Sequence, residues 1–107
     1  MKIRPCYLKL IRDGIKRHEY RLNAKKYEDC HIGDTILLVS DCDINDYIEK
    51  EVKDIKVFSN WKEALANYWQ EDFRGLYSTF DEVVFECLKF YPIEEVNKLG
   101  IKVFYFK

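Results

Sequence analysis

The sequence predicts one folded domain of mixed α and β structure. Along its 107 residues the spacing of apolar side chains changes several times between the period of a helix and that of a strand. Apolar residues make up 48 % and aromatic residues 16 %, which is enough for one hydrophobic core. Roughly 100 to 200 residues per domain is usual, and no linker or repeat interrupts the chain, so residues 1–107 are expected to form a single domain.

The first quarter of the chain predicts a short helix followed by a strand. A helix over about 5–13 opens on proline, ends before Gly14 and repeats its apolar residues on one face, namely Tyr7, Leu8 and Ile11. Residues 17–22 alternate at strand spacing, so Glu19 and Arg21 share one face. A helix and a strand therefore meet near Gly14.

Two interpretations compete for residues 46–58, which follow a predicted buried strand over 35–40. Ile48, Val52 and Ile55 fit a helix, and periodicity alone favours that reading. A strand requires a bulge near Lys53 and Asp54 to bring the apolar residues to one side. The pattern by itself leaves both open.

The second half predicts further helices and a final strand. Asn60 precedes a helix over about 61–69, and a second helix runs from Phe80 to about Phe90. A turn or short helix over 93–98 leads to an alternating strand over 101–106. The first of these helices is expected to bury Trp61, Leu65 and Tyr68.

Charge is unevenly distributed along the chain. Residues 1–26 carry a net charge of +7 and the remainder −8, although the whole chain is only −1. A basic face built from the first segment would attract phosphate groups, whereas acids folded alongside it would leave an ordinary solvated surface. From the sequence alone, the basic face and the ordinary solvated surface are equally open.

Several function classes are excluded or disfavoured by missing motifs. No apolar run approaches a membrane span, and the charged start does not fit a signal peptide, so a cytoplasmic protein that does not insert into membranes is expected. The cysteines show no paired spacing and are expected to be reduced thiols. No zinc, calcium or nucleotide-phosphate motif is complete, so we expect no metal and no cofactor.

The strongest functional pattern is a group of charges at the predicted helix-to-strand corner. Lys16 follows Gly14, and Glu19 and Arg21 project from one strand face about 7 Å apart. The two bases would keep Glu19 ionised and could face a phosphate or a polar heterocycle. His18 points to the opposite face, which is more typical of a packing histidine. A purely structural ion-pair group is the alternative.

This pattern resembles the activating-signal-cointegrator homology (ASCH) family of the PUA-like superfamily. The resemblance is carried by Gly14-x-Lys16-x-x-Glu19-x-Arg21-Leu22, then by Ile32-Gly33-Asp34, and more loosely by segments that extend over the whole chain. It implies an α+β fold, a small β-barrel of about five to six strands with three or so helices around it. Residues 46–58 then become a bulged strand.

The resemblance also implies a cleft at this motif and a role in binding RNA or a nucleotide-like ligand, with RNA-linked regulation as a further implication. Lys16 and Arg21 would contact phosphate or base, Glu19 would accept hydrogen bonds, and Tyr20 could stack on a base. The surrounding positive field would come from Arg4, Lys9, Arg12, Arg17, Lys25 and Lys26. Oligomeric state is left open.

Two alternatives remain at the sequence level. Some ASCH members are amidohydrolases of acetylated cytidine and others are linked to RNA cleavage, so a small hydrolase could use Lys16, Glu19 and Glu71 as catalytic residues in the same cleft. Glu19 stands where the amidohydrolases carry a threonine, so only activation of water would remain available. His18 would be a further candidate for RNA cleavage. A protein-interaction domain with a structural charge cluster is the other alternative.

Overall fold

The computed structural model describes residues 1–106, which form one five-stranded sheet curved as a half-barrel, with helices packed around it. The strands are β1 (Lys2–Ile3), β2 (His18–Leu22), β3 (Thr35–Ser40), β4 (Tyr47–Phe58) and β5 (Ile101–Phe106). The helices are α1 (Pro5–Arg12), α2 (Trp61–Leu65), α3 (Trp69–Asp72), α4 (Phe80–Cys87) and α5 (Ile93–Leu99), and a 3₁₀ turn spans Lys25–Tyr27. The fold is therefore the predicted α+β class.

Strand order in the sheet is β1-β3-β4-β5-β2. β1 runs parallel to β3, and the other neighbouring pairs are antiparallel. Within residues 1–106, β2 pairs only with β5, and Glu19 lies opposite Phe104. The strand that carries the predicted charge cluster is thus an edge strand supported by the last strand of the sheet.

The long strand β4 settles the ambiguity over residues 46–58. It pairs with β3 through its first half and with β5 through its second half, and the register shifts between Val52 and Asp54. The bulge therefore lies where the strand interpretation requires it, and the helical interpretation of Ile48, Val52 and Ile55 is wrong. Pairing on both sides outweighs the local periodicity.

The helix expected over 61–69 is wrong in extent. It divides into α2 and α3, and Tyr68 lies between them with non-helical backbone angles of φ −132° and ψ 10°. Tyr68 is consequently 49 % exposed rather than part of the core, whereas Trp61 and Leu65 are buried as expected. The next helix, α4, begins with the hydroxyl of Thr79 accepting from the Glu82 amide (3.2 Å) and ends at Cys87, earlier than predicted.

The core lies between the inner face of the sheet and the helices. α1 contributes one apolar stripe, and Arg12 and Lys9 remain exposed. The largest fully buried apolar side chains are Trp61, Phe104, Phe106, Leu8, Ile11, Leu38, Leu65 and Ile101. Lys16 is buried among them, which makes it the exceptional member of the interior. No helix within residues 1–106 has the length and apolar character needed to cross a membrane.

Candidate functional site: two clefts on either side of strand β2

Strand β2 separates two clefts because successive side chains point to opposite faces of a strand. Glu19 and Arg21 line a smaller cleft of about 300 Å³. His18 lines a larger cleft of about 610 Å³ on the other side. Glu19 and Arg21 therefore lie on one side of β2 and His18 on the other, as predicted from the alternation of side chains.

The charge cluster at the smaller cleft is compact. Arg21 Nη2 lies 2.7 Å from Glu19 Oε2, and it also donates to the Lys2 carbonyl oxygen at 2.7 Å. Lys16 Nζ lies 3.8 Å from Glu19 Oε1 and donates to the His18 carbonyl oxygen. Burial alone would lower the pKa of Arg21, but the charge of Glu19 and its hydrogen bond outweigh that and raise it. Arg21 therefore stays a cation of fixed orientation.

Lys16 is placed differently from the sequence expectation. Its side chain is fully buried, and its ammonium lies 4.6 Å from the Phe73 ring centroid and 4.8 Å from that of Tyr20. These rings and Glu19 compensate for its lost hydration, as cation–π contacts do for a desolvated amine. Lys16 consequently supports the cluster from behind and does not meet a surface ligand directly.

Tyr20 does not present a ring for stacking. It is 6 % exposed, its ring lies 5.8 Å from Phe73, and its hydroxyl donates to Asp72 Oδ2. The Tyr20 ring is therefore almost enclosed, which counts against the expected stacking of a base on it. Tyr20 lines the smaller cleft only with this small exposed part, and the other aromatic side chains that line it are Tyr7, Phe90 and Tyr91.

The basic residues predicted to surround the site are divided among several places. Three of them form ion pairs: Arg4 with Glu86 (3.2 Å), Lys9 with Asp13 (2.8 Å) and Arg12 with Asp46 (2.6 Å). Arg4 lines the smaller cleft, and Arg17 lines the larger one. Lys25 and Lys26 are exposed on the 3₁₀ turn. Glu86 and Asp46, which lie outside the basic segment, thus offset part of its charge.

Glu71 is not brought together with Lys16 and Glu19. It lines the larger cleft, whereas Glu19 lines the smaller one and the Lys16 ammonium is enclosed. The structure therefore does not assemble the three residues expected for a hydrolase into one cleft. Within residues 1–106, no group of three or more His, Cys, Asp or Glu side chains could hold a metal ion.

The sequence analysis missed Asp72, which organises the wall of the larger cleft. It is 1 % exposed and accepts from the Arg17 amide (2.9 Å), His18 Nδ1 (2.9 Å) and the Tyr20 hydroxyl. Burial would raise its pKa, but the hydrogen bond from His18 and the charge of Lys16 outweigh burial and lower it. The sequence signal that could have found Asp72 is an acid directly before the apolar Phe73 and one position after the predicted Glu71.

The half-barrel sheet with surrounding helices and charged clefts places this protein among PUA-like domains. Comparison with known proteins makes the class specific: the sequence profile of the ASCH domain matches residues 1–98, so the chain belongs to the ASCH domain family.

Two solved structures extend the likeness to the whole chain. The crystal structure of the hypothetical protein PH0355 is 26 % identical, with a TM-score of 0.82 over 100 % of this chain and 94 % of that one. The solution structure of protein PF0455 from Pyrococcus furiosus is 22 % identical, with a TM-score of 0.73 over 100 % and 93 % of the two chains, and this likeness concerns the fold alone. A search among curated proteins found no match.

Proposed function

We propose that this protein binds RNA or a nucleotide-like ligand at the smaller cleft. The proposal is carried by Arg21, whose guanidinium is fixed between Glu19 and the Lys2 carbonyl at the cleft wall. A guanidinium has five N–H donors in a rigid fork, so an arginine held in this way can still present donors to a phosphate oxygen or a base edge. Prior fixation reduces the entropy lost on binding.

The surroundings of Arg21 supply the other contacts that single-stranded nucleic acid uses. Phe90 and Tyr91 line the same cleft, and the Arg4 guanidinium lies 4.7 Å from the Phe90 ring centroid. Stacking of a base on an aromatic side chain contributes about 1–3 kcal/mol and tolerates any base. A base seated against these rings would bring its phosphate close to the cations of the cleft.

The charge at the cleft predicts a weak dependence of affinity on salt. Three bases line it, Lys2, Arg4 and Arg21, against the two acids Glu19 and Asp41. One or two phosphates neutralised on a single strand give a slope of about −0.7 per phosphate in log affinity against log salt. Affinity should then fall only about three- to sevenfold between about 50 and 200 mM salt.

The test is fluorescence anisotropy of a short labelled single-stranded RNA with Arg21→Gln and the matched control Lys62→Gln. Both changes remove one positive charge, but Lys62 is exposed on α2 and lines neither cleft. Loss of a charge-assisted hydrogen bond, about 1.5–3 kcal/mol, should weaken binding by tenfold or more in Arg21→Gln and less than twofold in the control.

Folding of the Arg21 variant is checked by circular dichroism, and Arg21→Lys retains the charge without the planar fork. It should bind with intermediate affinity. Equal affinity of Arg21→Gln and Lys62→Gln for the RNA would show that the smaller cleft is not the site.

A further inference from the structure

The larger cleft is lined by charges of both signs in equal number. Its three cations are Arg17, Lys56 and Arg74, and its three acids are Asp54, Glu71 and Asp72. Asp72 is 1 % exposed and accepts hydrogen bonds from three groups of the protein itself, so its charge is already compensated. The other five charged side chains form no ion pair within residues 1–106. Unpaired charges of both signs therefore face one cleft.

The sheet at the floor of this cleft sets the separation between an acid and a base. Asp54 and Lys56 are two residues apart in β4, so they share one face of the strand with their Cα atoms about 7 Å apart. In the sheet register Asp54 lies opposite Tyr105, which lies opposite His18 on its other side, whereas Lys56 lies opposite Val103. The floor thus has a carboxylate beside aromatic rings at one end and an ammonium beside an aliphatic side chain at the other.

The helical side of the cleft repeats this combination of acid and base. Glu71 belongs to α3 and Arg74 follows it, and both side chains are exposed. The Arg74 amide donates to the Glu71 carbonyl oxygen at 3.3 Å, so the two residues lie in one turn of the chain. Asn67 also lines the cleft on this side, and its side-chain amide can both donate and accept. A ligand in the cleft can therefore meet an acid, a base and an amide here as well.

Ligands with charges of a single sign fit such a cleft poorly. A run of phosphates would bring like charges up to the acids, and a polyamine would do the same at the bases. An uncharged ligand would displace water from five charged groups without replacing its hydrogen bonds, which is costly. A zwitterion compensates both signs at once.

The spacing of the charges favours a dipeptide with free ends over a single amino acid. An extended chain spans at most about 3.3–3.6 Å per residue, so a dipeptide reaches roughly 7 Å and an amino acid roughly half of that. The one peptide group of a dipeptide also matches the donor and acceptor of the Asn67 amide.

The size and the apolar lining of the cleft fit a ligand of this kind. Its volume of about 610 Å³ lies within the roughly 300–1,000 Å³ of small-molecule sites. Tyr68 is 49 % exposed, and the partly buried Phe58 and Tyr105 also line the cleft. These rings offer an apolar surface to a side chain of the dipeptide.

We propose that the larger cleft binds a zwitterionic dipeptide, with its α-ammonium at Asp54 and its carboxylate at Lys56. The ring of Tyr105 adds a cation–π contact at the ammonium end. Glu71 and Arg74 supply a second acid and a second base from the helical side. The inference is independent of RNA binding, because it concerns another cleft and another ligand.

The experiment is a titration of the whole chain followed by its amide chemical shifts in NMR spectra. The probes are glycylphenylalanine and phenylalanylglycine, the N-acetyl and C-terminal amide derivatives of each, and free phenylalanine. Concentrations up to about 10 mM cover the weak affinity expected of so small a ligand. Both free dipeptides should shift the amides of residues that line the larger cleft. Each capped derivative should bind about tenfold more weakly or worse, because it has lost one charge-assisted hydrogen bond, and phenylalanine should also bind more weakly.

Variants at the floor identify which end of the ligand each residue contacts. Lys56→Gln should weaken binding of the free dipeptides about fivefold or more but change the affinity of the amide derivatives less than twofold, because these have no carboxylate. Asp54→Asn should act in the same way on the free dipeptides and spare the N-acetyl derivatives. The matched controls are Lys62→Gln and Asp29→Asn, which remove the same charges at exposed positions outside both clefts and should leave every affinity unchanged. Circular dichroism checks the fold of each variant.

Three results would overturn the inference: no binding of either free dipeptide, equal affinity of free and capped dipeptides, or affinities unchanged in both Lys56→Gln and Asp54→Asn. Loss of dipeptide binding in Arg21→Gln would place the ligand in the smaller cleft and overturn it too. The proposed function is tested separately by RNA anisotropy. Dipeptide binding at the larger cleft without RNA binding would support this inference and count against the proposed function, and RNA binding without dipeptide binding would do the reverse.

Discussion

Replacement of Asp72 by alanine removes the acceptor at the centre of the larger cleft's wall. Three donors then lose their partner: the Arg17 amide, His18 Nδ1 and the Tyr20 hydroxyl. A buried donor without an acceptor costs about 1–3 kcal/mol, so three give about 3–9 kcal/mol. Two of them adjoin a cleft that admits water, so we expect about 3–5 kcal/mol. Total stabilities are about 5–15 kcal/mol, so the loss would be a large share.

The assay is urea unfolding followed by circular dichroism, with Asp29→Ala as the control. Asp29 is exposed and makes no hydrogen bond through its side chain within residues 1–106, so its removal should change the free energy of unfolding by less than about 0.5 kcal/mol. A loss below about 1 kcal/mol in Asp72→Ala would refute the reasoning, because it would mean that the three donors had found other acceptors.

The same residue gives a pH dependence. The pKa of Asp72 is held below its ordinary value of 3.8 in the folded protein. Its stabilising contribution is therefore present above pH 3.8 and is lost as the pH falls below that value through the folded pKa. The difference in stability between the wild type and Asp72→Ala should shrink over that acidic range, as urea titrations at several pH values would measure.

Three further predictions concern the fold. Gly14→Ala and Gly100→Ala both place alanine at a positive φ, 77° and 80°. A Cβ at Gly14 meets open space, whereas one at Gly100 would lie 2.5 Å from the Phe58 carbonyl oxygen. Thermal unfolding should therefore show that the free energy of unfolding falls by about 1 kcal/mol in Gly14→Ala and by more than about 2 kcal/mol in Gly100→Ala. Burial raises the pKa of the Cys87 thiol to about 12, so iodoacetamide at pH 8 should label the exposed Cys6 and Cys42 in the native protein and leave Cys87 intact; rapid labelling of Cys87 would contradict its burial. Thr79→Ala should lower stability by about 1 kcal/mol through loss of the cap on α4, and Thr79→Ser should restore most of it.

The sequence predicts the fold well where the local spacing of apolar side chains and the pairing between distant strands favour the same secondary structure. Strand β2 and its two faces follow from alternation alone, so the separation of Glu19 from His18 is predictable. Strand β4 is not predictable in this way, because the spacing of Ile48, Val52 and Ile55 also fits a helix. Only the pairing of β4 with β3 and β5 shows that it is a strand. The resemblance to ASCH proteins supplies that tertiary information where local pattern does not.

The candidate site is predictable only in part, since burial and long-range pairing have no local signature. Lys16 is recognised as part of the cluster, but its enclosure is completed by Phe73, which follows α3 and lies more than fifty residues along the chain. The partnership of His18 with Asp72 spans 54 residues in the chain and leaves no periodic trace. Glu71, its exposed neighbour, is the residue that a motif comparison finds instead.

The sheet order has a consequence for how this chain folds during synthesis. β2 has β5 as its sheet neighbour, and roughly eighty residues are translated between them, so His18, Glu19 and Arg21 emerge from the ribosome long before their support exists. Closing so long a loop is entropically slow. Both clefts are thus assembled last, after residues 101–106 join the sheet, and a nascent chain halted before that point would expose these three side chains without their geometry.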